Sequence, residues 1–145
     1  MWERKRNERA KFTFTNPPAE SLTRPLVLVV DDEDEIRAVA VRAVQQLGLS
    51  VVVARNGLEG IAVAKQYRPD IVVTDAMMPK LDGREMGLRI KEDPDTAGAR
   101  VIVMTSLYTD ARYKYEVMKT FQADAYLSKP LRPEELQEVL RKFLP

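Results

Sequence analysis

Five short apolar runs recur along the chain after residue 25. They are LVLVV (26–30), VVVA (51–54), IVVT (71–74), VIVMT (101–105) and AYLS (125–128). Each run is rich in branched residues and places apolar side chains on both faces, as a strand must when helices cover both sides of its sheet. The chain is therefore expected to form a parallel sheet of five strands, buried between helical layers.

Amphipathic segments separate these runs. The first is predicted to be a helix, because apolar residues repeat at helical spacing before Gly48, which suits a C-cap: Ile36, Val39, Ala40, Ala43, Val44 and Leu47. A second helix is predicted after RNG (55–57), and a third around Met86 and Ile90 ends before EDPD (92–95). The last helix begins at RPEEL (132–136), with inward side chains at Leu136, Val139, Leu140 and Phe143.

Segment 107–122, between the fourth and fifth strands, is predicted to be helical in its second half. Strand and helix thus alternate along the chain, and the connections are too short for anything but right-handed crossovers. This pattern indicates a doubly wound parallel sheet of the α/β class.

Composition narrows the possible chemistry. The 145 residues include no cysteine and no histidine, so disulfides, thiolate metal sites and imidazole chemistry are excluded. Any catalysis or metal binding must therefore come from carboxylates, hydroxyls, lysines and the backbone. No apolar run approaches the roughly 20 residues that span a bilayer, and the first residues lack the apolar core of a secretory signal. We therefore expect a cytoplasmic protein without membrane contact.

Residues 1–25 are predicted to be a flexible basic extension, followed by one domain over 26–145. The extension contains TNPPAES, six basic residues (Arg4, Lys5, Arg6, Arg9, Lys11, Arg24) and three acidic residues (Glu3, Glu8, Glu20). Such an arm could contact nucleic acid or a membrane surface. The excess of positive charge is small, so a solvated terminus is the favoured interpretation.

Polar side chains stand where the predicted strands end: Asp31 and Asp32, Asp75, Thr105 and Ser106, and Lys129. Ligands of doubly wound sheets bind beyond this carboxyl edge. Carboxylates on neighbouring strands, about 4.8 Å apart, should disfavour one another's ionisation unless a cation intervenes. Magnesium suits such a site, because it takes one or two carboxylates together with waters and phosphate oxygens.

Each of these residues also has a plainer interpretation. Asp31 or Asp32 could cap the first helix, and Asp75 could be a turn residue. Thr105 and Ser106 could bond local backbone, and Lys129 could be a solvated cation. Taken together, the positions favour a single site over a set of unrelated local roles.

Four segments, VLVVDDE (27–33), DIVVTDAMMPKLDG (70–83), VIVMTS (101–106) and ADAYLSKP (123–130), carry a family resemblance. In order and spacing they resemble the receiver domain of bacterial two-component response regulators, over residues 26–144. The resemblance implies a flavodoxin-like fold with strand order 2-1-3-4-5.

The resemblance also implies roles for individual residues. Asp75 would accept a phosphoryl group from a sensor histidine kinase or a histidine phosphotransfer protein. Asp31, Asp32, Asp75 and the backbone carbonyl of Met77 would hold Mg²⁺ or Mn²⁺, and Lys129 would neutralise the transferred group. Thr105 and Tyr126 would be switch residues, and Pro130 would follow a cis peptide bond.

The phosphoryl group would reshape the face formed by the helix predicted within 107–122, the last strand and the last helix. This face would bind a downstream protein or a second copy of the chain. No direct DNA binding is expected. The protein would catalyse only its own phosphorylation and dephosphorylation, not the turnover of other substrates.

Three departures from the family pattern modify these expectations. Tyr126 follows Thr105 by 21 positions, about two more than is common, so 107–115 is expected to hold an insertion. Gln122 stands where glycine is frequent. Met77 and Leu107 fall where the family flanks the phosphoryl group, and apolar side chains there cannot orient an attacking water, so slow self-dephosphorylation is expected.

Two other functions stay open. A phosphatase of the haloacid dehalogenase type shares the strand-end aspartate and magnesium, but it has a second acid at the position of Met77. A pseudo-receiver that only binds proteins typically lacks an acid or the lysine, and this chain has all of them.

Overall fold

One parallel sheet forms the centre of the molecule. The computed structural model describes residues 15–78, 80–105, 119 and 122–145. Within these residues, five parallel strands are ordered β2-β1-β3-β4-β5. The strands are β1 (Leu26–Val30), β2 (Ser50–Ala54), β3 (Ile71–Asp75), β4 (Arg100–Thr105) and β5 (Ala125–Ser128). The predicted α/β class and strand order are confirmed.

Four α-helices lie wholly within the described residues: α1 (Asp34–Gln46), α2 (Gly57–Tyr67), α3 (Gly83–Glu92) and α4 (Pro133–Lys142). They match the first three predicted helices and the last one. The remaining predicted helix, within 107–122, and the insertion at 107–115 lie outside the described residues, apart from Lys119 and Gln122. No helix in the described ranges has the length and apolar character needed to cross a membrane.

The helices cover the two faces of the sheet as two separate apolar layers. On one face α1 and α4 contribute Ala40, Val44, Leu136 and Leu140 to the cluster around Val29. On the other face α2 and α3 contribute Val63, Met86 and Ile90 to the cluster around Leu28. Side chains of a strand alternate between faces, so the two layers account for runs that are apolar throughout.

The buried side of α1 differs in one respect from the prediction. Val39 was expected to point inward, but it is 38% exposed, whereas Arg37 and Val41 are buried. The buried positions Arg37, Ala40, Val41 and Val44 follow the i, i+3, i+4, i+7 spacing of one helix face. Val39 falls outside that stripe.

The described part of the predicted extension is anchored to the domain. We call residues 16–24 the N-terminal strap. The side-chain amide of Asn16 donates to Val53 O at 2.9 Å and accepts from Val53 N at 2.7 Å, so it pairs with the outer side of the edge strand β2. The Tyr67 hydroxyl donates to Pro17 O at 2.8 Å, and Thr23 N donates to Ser50 Oγ at 3.0 Å. The strap therefore lies against the edge of the domain that β2 forms.

Candidate functional site

Three carboxylates meet at the carboxyl edge of the sheet. Asp31 and Asp32 follow β1, and Asp75 ends the neighbouring strand β3. One oxygen from each of the three side chains lies within 4.8 Å of the other two. Asp31 and Asp75 are buried and Asp32 is exposed, so the cluster opens to solvent on one side. Adjacent parallel strands bring these residues together as the sequence predicts.

Lys129 provides the positive charge of the cluster. Its Nζ lies 3.0 Å from Asp75 Oδ2 and 3.4 Å from Asp31 Oδ2. Its amide donates to Thr105 O at 2.9 Å, which continues the pairing of β4 and β5, and the Lys129–Pro130 peptide bond is cis. The Lys129 side chain is only 11% exposed. A solvated strand-end cation, the plainer alternative, does not describe it.

The surroundings of the site shift the pKa values of Asp31 and Lys129. The pKa of Asp31 is raised from 3.8 to about 6. Burial raises it most, and the charge of Asp75 adds to this, while the hydrogen bond from the Glu33 amide and the contact with Lys129 lower it. Burial also lowers the pKa of Lys129, but its hydrogen bond with Asp75 and the charges of Asp31 and Asp75 outweigh this and raise the pKa above 10.5. A further cation beside Asp31 would favour the ionised form of this carboxylate.

The donor set therefore fits a hard divalent cation such as Mg²⁺, which prefers oxygen ligands and tolerates bound water. The backbone of Met77 lies beside this cluster, since its amide donates to Asp75 Oδ1 at 3.3 Å. The helix-capping alternative for the acids finds no support at α1, where Glu33 is the N-cap residue and no side-chain cap bond forms. Asp31 instead accepts the Glu33 amide at 2.9 Å within the β1–α1 loop.

Thr105 and Tyr126 lie on one face of the sheet. Thr105 is buried at the end of β4, where it pairs with Ser128, and by alternation it shares the side of Val103. Tyr126 pairs with Val103 and packs, partly buried, against the layer covered by α2 and α3. Ser106 and Leu107 lie outside the described residues.

Two residues near the site were not found by sequence reasoning. Gly83 begins α3, and a Cβ there would lie 2.2 Å from the backbone oxygen of Asp75, so only glycine allows the β3–α3 loop to return this closely. Arg37 is buried in α1 and donates to Asp31 O at 2.8 Å. In the sequence, Gly83 is only a glycine at the start of a helix, and Arg37 is only a cation near the start of another. Both features are common in helices that make no such contacts.

The match to known proteins covers most of the chain. The family model of the response regulator receiver domain matches residues 27–141. A probable transcriptional regulator, ycf27 of Guillardia theta, is 35% identical over 122 residues, 84% of this chain and 46% of that protein. Protein PilG of Pseudomonas aeruginosa is 30% identical, and the match covers 82% of this chain and 87% of that protein.

Among solved structures, the chemotaxis response regulator CheY4 of Vibrio cholerae has a TM-score of 0.77 at 30% identity, covering 84% of this chain and 100% of that chain. The ycf27 relatives are longer, and the chain spans about half of their length, as in the 46% of the Guillardia theta protein. From the family match, the relatives and the shared fold together, the chain belongs to the response regulator receiver domains of two-component signalling.

Proposed function

We propose that this domain accepts a phosphoryl group on Asp75, with Mg²⁺ or Mn²⁺ bound, from a sensor histidine kinase or a histidine phosphotransfer protein. The observation that carries the proposal is the contact of Lys129 Nζ with Asp75 Oδ2 at 3.0 Å, beside two further carboxylates within 4.8 Å. This arrangement holds one nucleophilic oxygen and one fixed positive charge at the open edge of the sheet.

In the transfer, an oxygen of Asp75 forms a bond to phosphorus while the P–N bond of the donor's phosphohistidine breaks. The imidazole nitrogen keeps the electron pair of that bond and takes a proton from solvent. Lys129 would neutralise charge on the transferred group, which is the main need of phosphoryl transfer. Asp31, Asp32, Asp75 and the Met77 carbonyl would hold the metal ion, which supplies further charge neutralisation when bound.

The output would be a protein contact. Thr105 and Tyr126 are the switch residues in this proposal, because they share the sheet face next to the acceptor edge. A relative from Synechocystis is a DNA-binding dual master transcriptional regulator, of which the match covers 49%. By analogy, the domain would signal to a partner protein or to a further part of a longer regulator. A homodimer and a cytoplasmic location stay predictions.

Acetyl phosphate with Mg²⁺, followed by intact-mass measurement, tests the proposal. We expect one phosphoryl adduct in the unaltered protein and in Asp95→Asn, a control at an exposed aspartate in the α3–β4 loop. Asp75→Asn should abolish the adduct. Catalytic release of phosphate from many donor molecules would indicate the phosphatase alternative, and absence of any adduct would indicate a pseudo-receiver.

A further inference from the structure

Arg37 is a buried cation that the proposed chemistry does not use. Its side chain, on the second turn of α1, is only 9% exposed. Nη1 donates to the backbone oxygen of Asp31 at 2.8 Å, and Nη2 donates to Oδ1 of Asp34. The Asp34 side chain is 81% exposed, so the guanidinium connects the buried end of β1 with the solvent side of the loop.

The bond to Asp31 O controls the direction of the chain at the site. The carbonyl of Asp31 and the amide of Asp32 belong to one planar peptide unit. Fixing this carbonyl therefore fixes the plane that leads into Asp32. The other bonds of Asp31 hold different atoms: its amide donates to Ala54 O at 3.2 Å, and its carboxylate accepts the Glu33 amide at 2.9 Å.

Asp32 lacks the support that its two neighbours in the cluster have. Asp31 and Asp75 are buried and contact Lys129, whereas Asp32 is exposed. The position of its carboxylate therefore depends on the backbone of a short loop between β1 and α1. Arg37 holds this loop from the helix side, with one hydrogen bond on each side of Asp32 in the sequence.

We propose that Arg37 is a positioning residue that holds Asp31 and Asp32 in the geometry required to bind the divalent cation. The inference rests on the proposed function, since it assigns Arg37 to the same site. Mg²⁺ demands near-ideal octahedral geometry, so a displaced ligand loses affinity. Residues that orient metal ligands commonly change affinity about 10- to 100-fold when they are removed.

The guanidinium suits this role better than an ammonium group would. Its planar fork can donate to two acceptors in fixed directions, here the Asp31 carbonyl and the Asp34 carboxylate. Lysine at this position would keep the charge, but its flexible ammonium group would fix the directions of its acceptors less firmly. Charge and orientation can therefore be separated by substitution.

Lys91 provides a matched control at the opposite edge of the sheet. Its Nζ donates to the backbone oxygen of Ala99 at 2.7 Å and to Oδ2 of Asp124 at 3.0 Å. It thus makes the same two kinds of bond as Arg37, to one carbonyl and one aspartate, but far from the acceptor edge. If loss of these bonds lowered Mg²⁺ affinity only by lowering stability, replacing Lys91 should lower the affinity as much as replacing Arg37.

The test is Mg²⁺ binding by isothermal titration calorimetry, with urea unfolding to establish that each variant is folded. We expect Arg37→Met to weaken Mg²⁺ binding about 10-fold and Arg37→Lys to weaken it less. Lys91→Met should lower the free energy of unfolding and leave Mg²⁺ affinity unchanged.

Unaltered Mg²⁺ affinity in folded Arg37→Met would overturn the inference, as would an equal loss of affinity in Lys91→Met. If Arg37→Met does not fold, Arg37→Lys decides the question, and an affinity equal to that of the unaltered protein overturns the inference. Absence of Mg²⁺ binding to the unaltered protein would instead refute the proposed function, and this inference with it.

Discussion

The buried carboxylate of Asp31 should make the stability of the metal-free protein depend on pH. Asp31 is fully buried, and burial raises its pKa from the ordinary value of 3.8 to about 6. Asp31→Asn removes the ionisation while keeping an oxygen that can accept the Glu33 amide. The variant therefore isolates the effect of this one negative charge.

The free energy of unfolding should fall as pH rises, because the unfolded chain loses the Asp31 proton at a lower pH than the folded protein. As pH rises above 3.8, the unfolded chain releases the Asp31 proton first, while the folded protein keeps it until pH about 6. The free energy of unfolding consequently falls across this interval. One pH unit corresponds to about 1.4 kcal/mol, so the raised pKa of Asp31 predicts a loss of about 3 kcal/mol.

Urea unfolding in the presence of EDTA, between about pH 4 and about pH 7, measures this loss. We expect Asp31→Asn to lack most of the decrease, and to be more stable than the unaltered protein at neutral pH. Glu35→Gln, at an exposed carboxylate on α1, is the control and should retain the decrease. The reasoning is refuted if Asp31→Asn and the unaltered protein lose the same free energy over this interval.

Three further outcomes are expected. Met77→Asn should shorten the lifetime of phosphorylated Asp75, because an amide can orient the attacking water, and decay of the adduct mass measures this; an unchanged lifetime would contradict the argument. Asn16→Ala should cost about 1–2 kcal/mol of unfolding free energy and speed hydrogen exchange at the Val53 amide, since two hydrogen bonds are lost. Burial raises the pKa of Asp124, but hydrogen bonds from the Val101 amide and Lys91 outweigh this and hold the pKa below 3.8. The ionised carboxylate therefore stabilises the fold above pH 3.8, and this contribution is lost on acidification. Asp124→Asn should remove this contribution, which measurement of unfolding at decreasing pH would show.

Two of these predictions have close controls. Ser21→Ala removes a strap side chain that donates to Pro18 O at 2.7 Å, within the strap itself, so it should leave exchange at Val53 unchanged. Met78→Asn tests the next position of the β3–α3 loop. If it shortened the lifetime as much as Met77→Asn, the effect would not depend on a placed amide.

Much of the fold was predictable because burial on both faces of a sheet leaves a direct mark on the sequence. Runs such as 26–30 and 101–105 are apolar without alternation, and both form strands, the second of which begins one residue earlier, at Arg100. The cluster of Asp31, Asp75 and Lys129 was predictable for a related reason. Parallel strands end at one edge, so residues that follow separate strands converge there whatever their distance along the chain.

Other features could not be read from the sequence, because they depend on tertiary position. Arg37 looks like a surface residue of an amphipathic helix, and only the location of the Asp31 carbonyl makes it a buried donor. Asn16 lies in a polar, proline-containing segment, where nothing indicates that its amide pairs with Val53. Gln122 adopts φ of 52°, a left-handed conformation that favours glycine, which suits the position where the family often has glycine.

The strap has a consequence for how this chain can meet other chains. An uncovered outer strand offers its backbone as a template to which a foreign strand can add, the usual route to β-augmentation and aggregation. Asn16 occupies the backbone template at Val53, and the Thr23 amide bonds the side-chain hydroxyl of Ser50 at the start of the same strand. A shortened chain that starts at residue 26 should therefore self-associate through β2, and sedimentation at increasing concentration would reveal this. With the N-terminal strap in place, contacts with other chains should form through other surfaces of the domain.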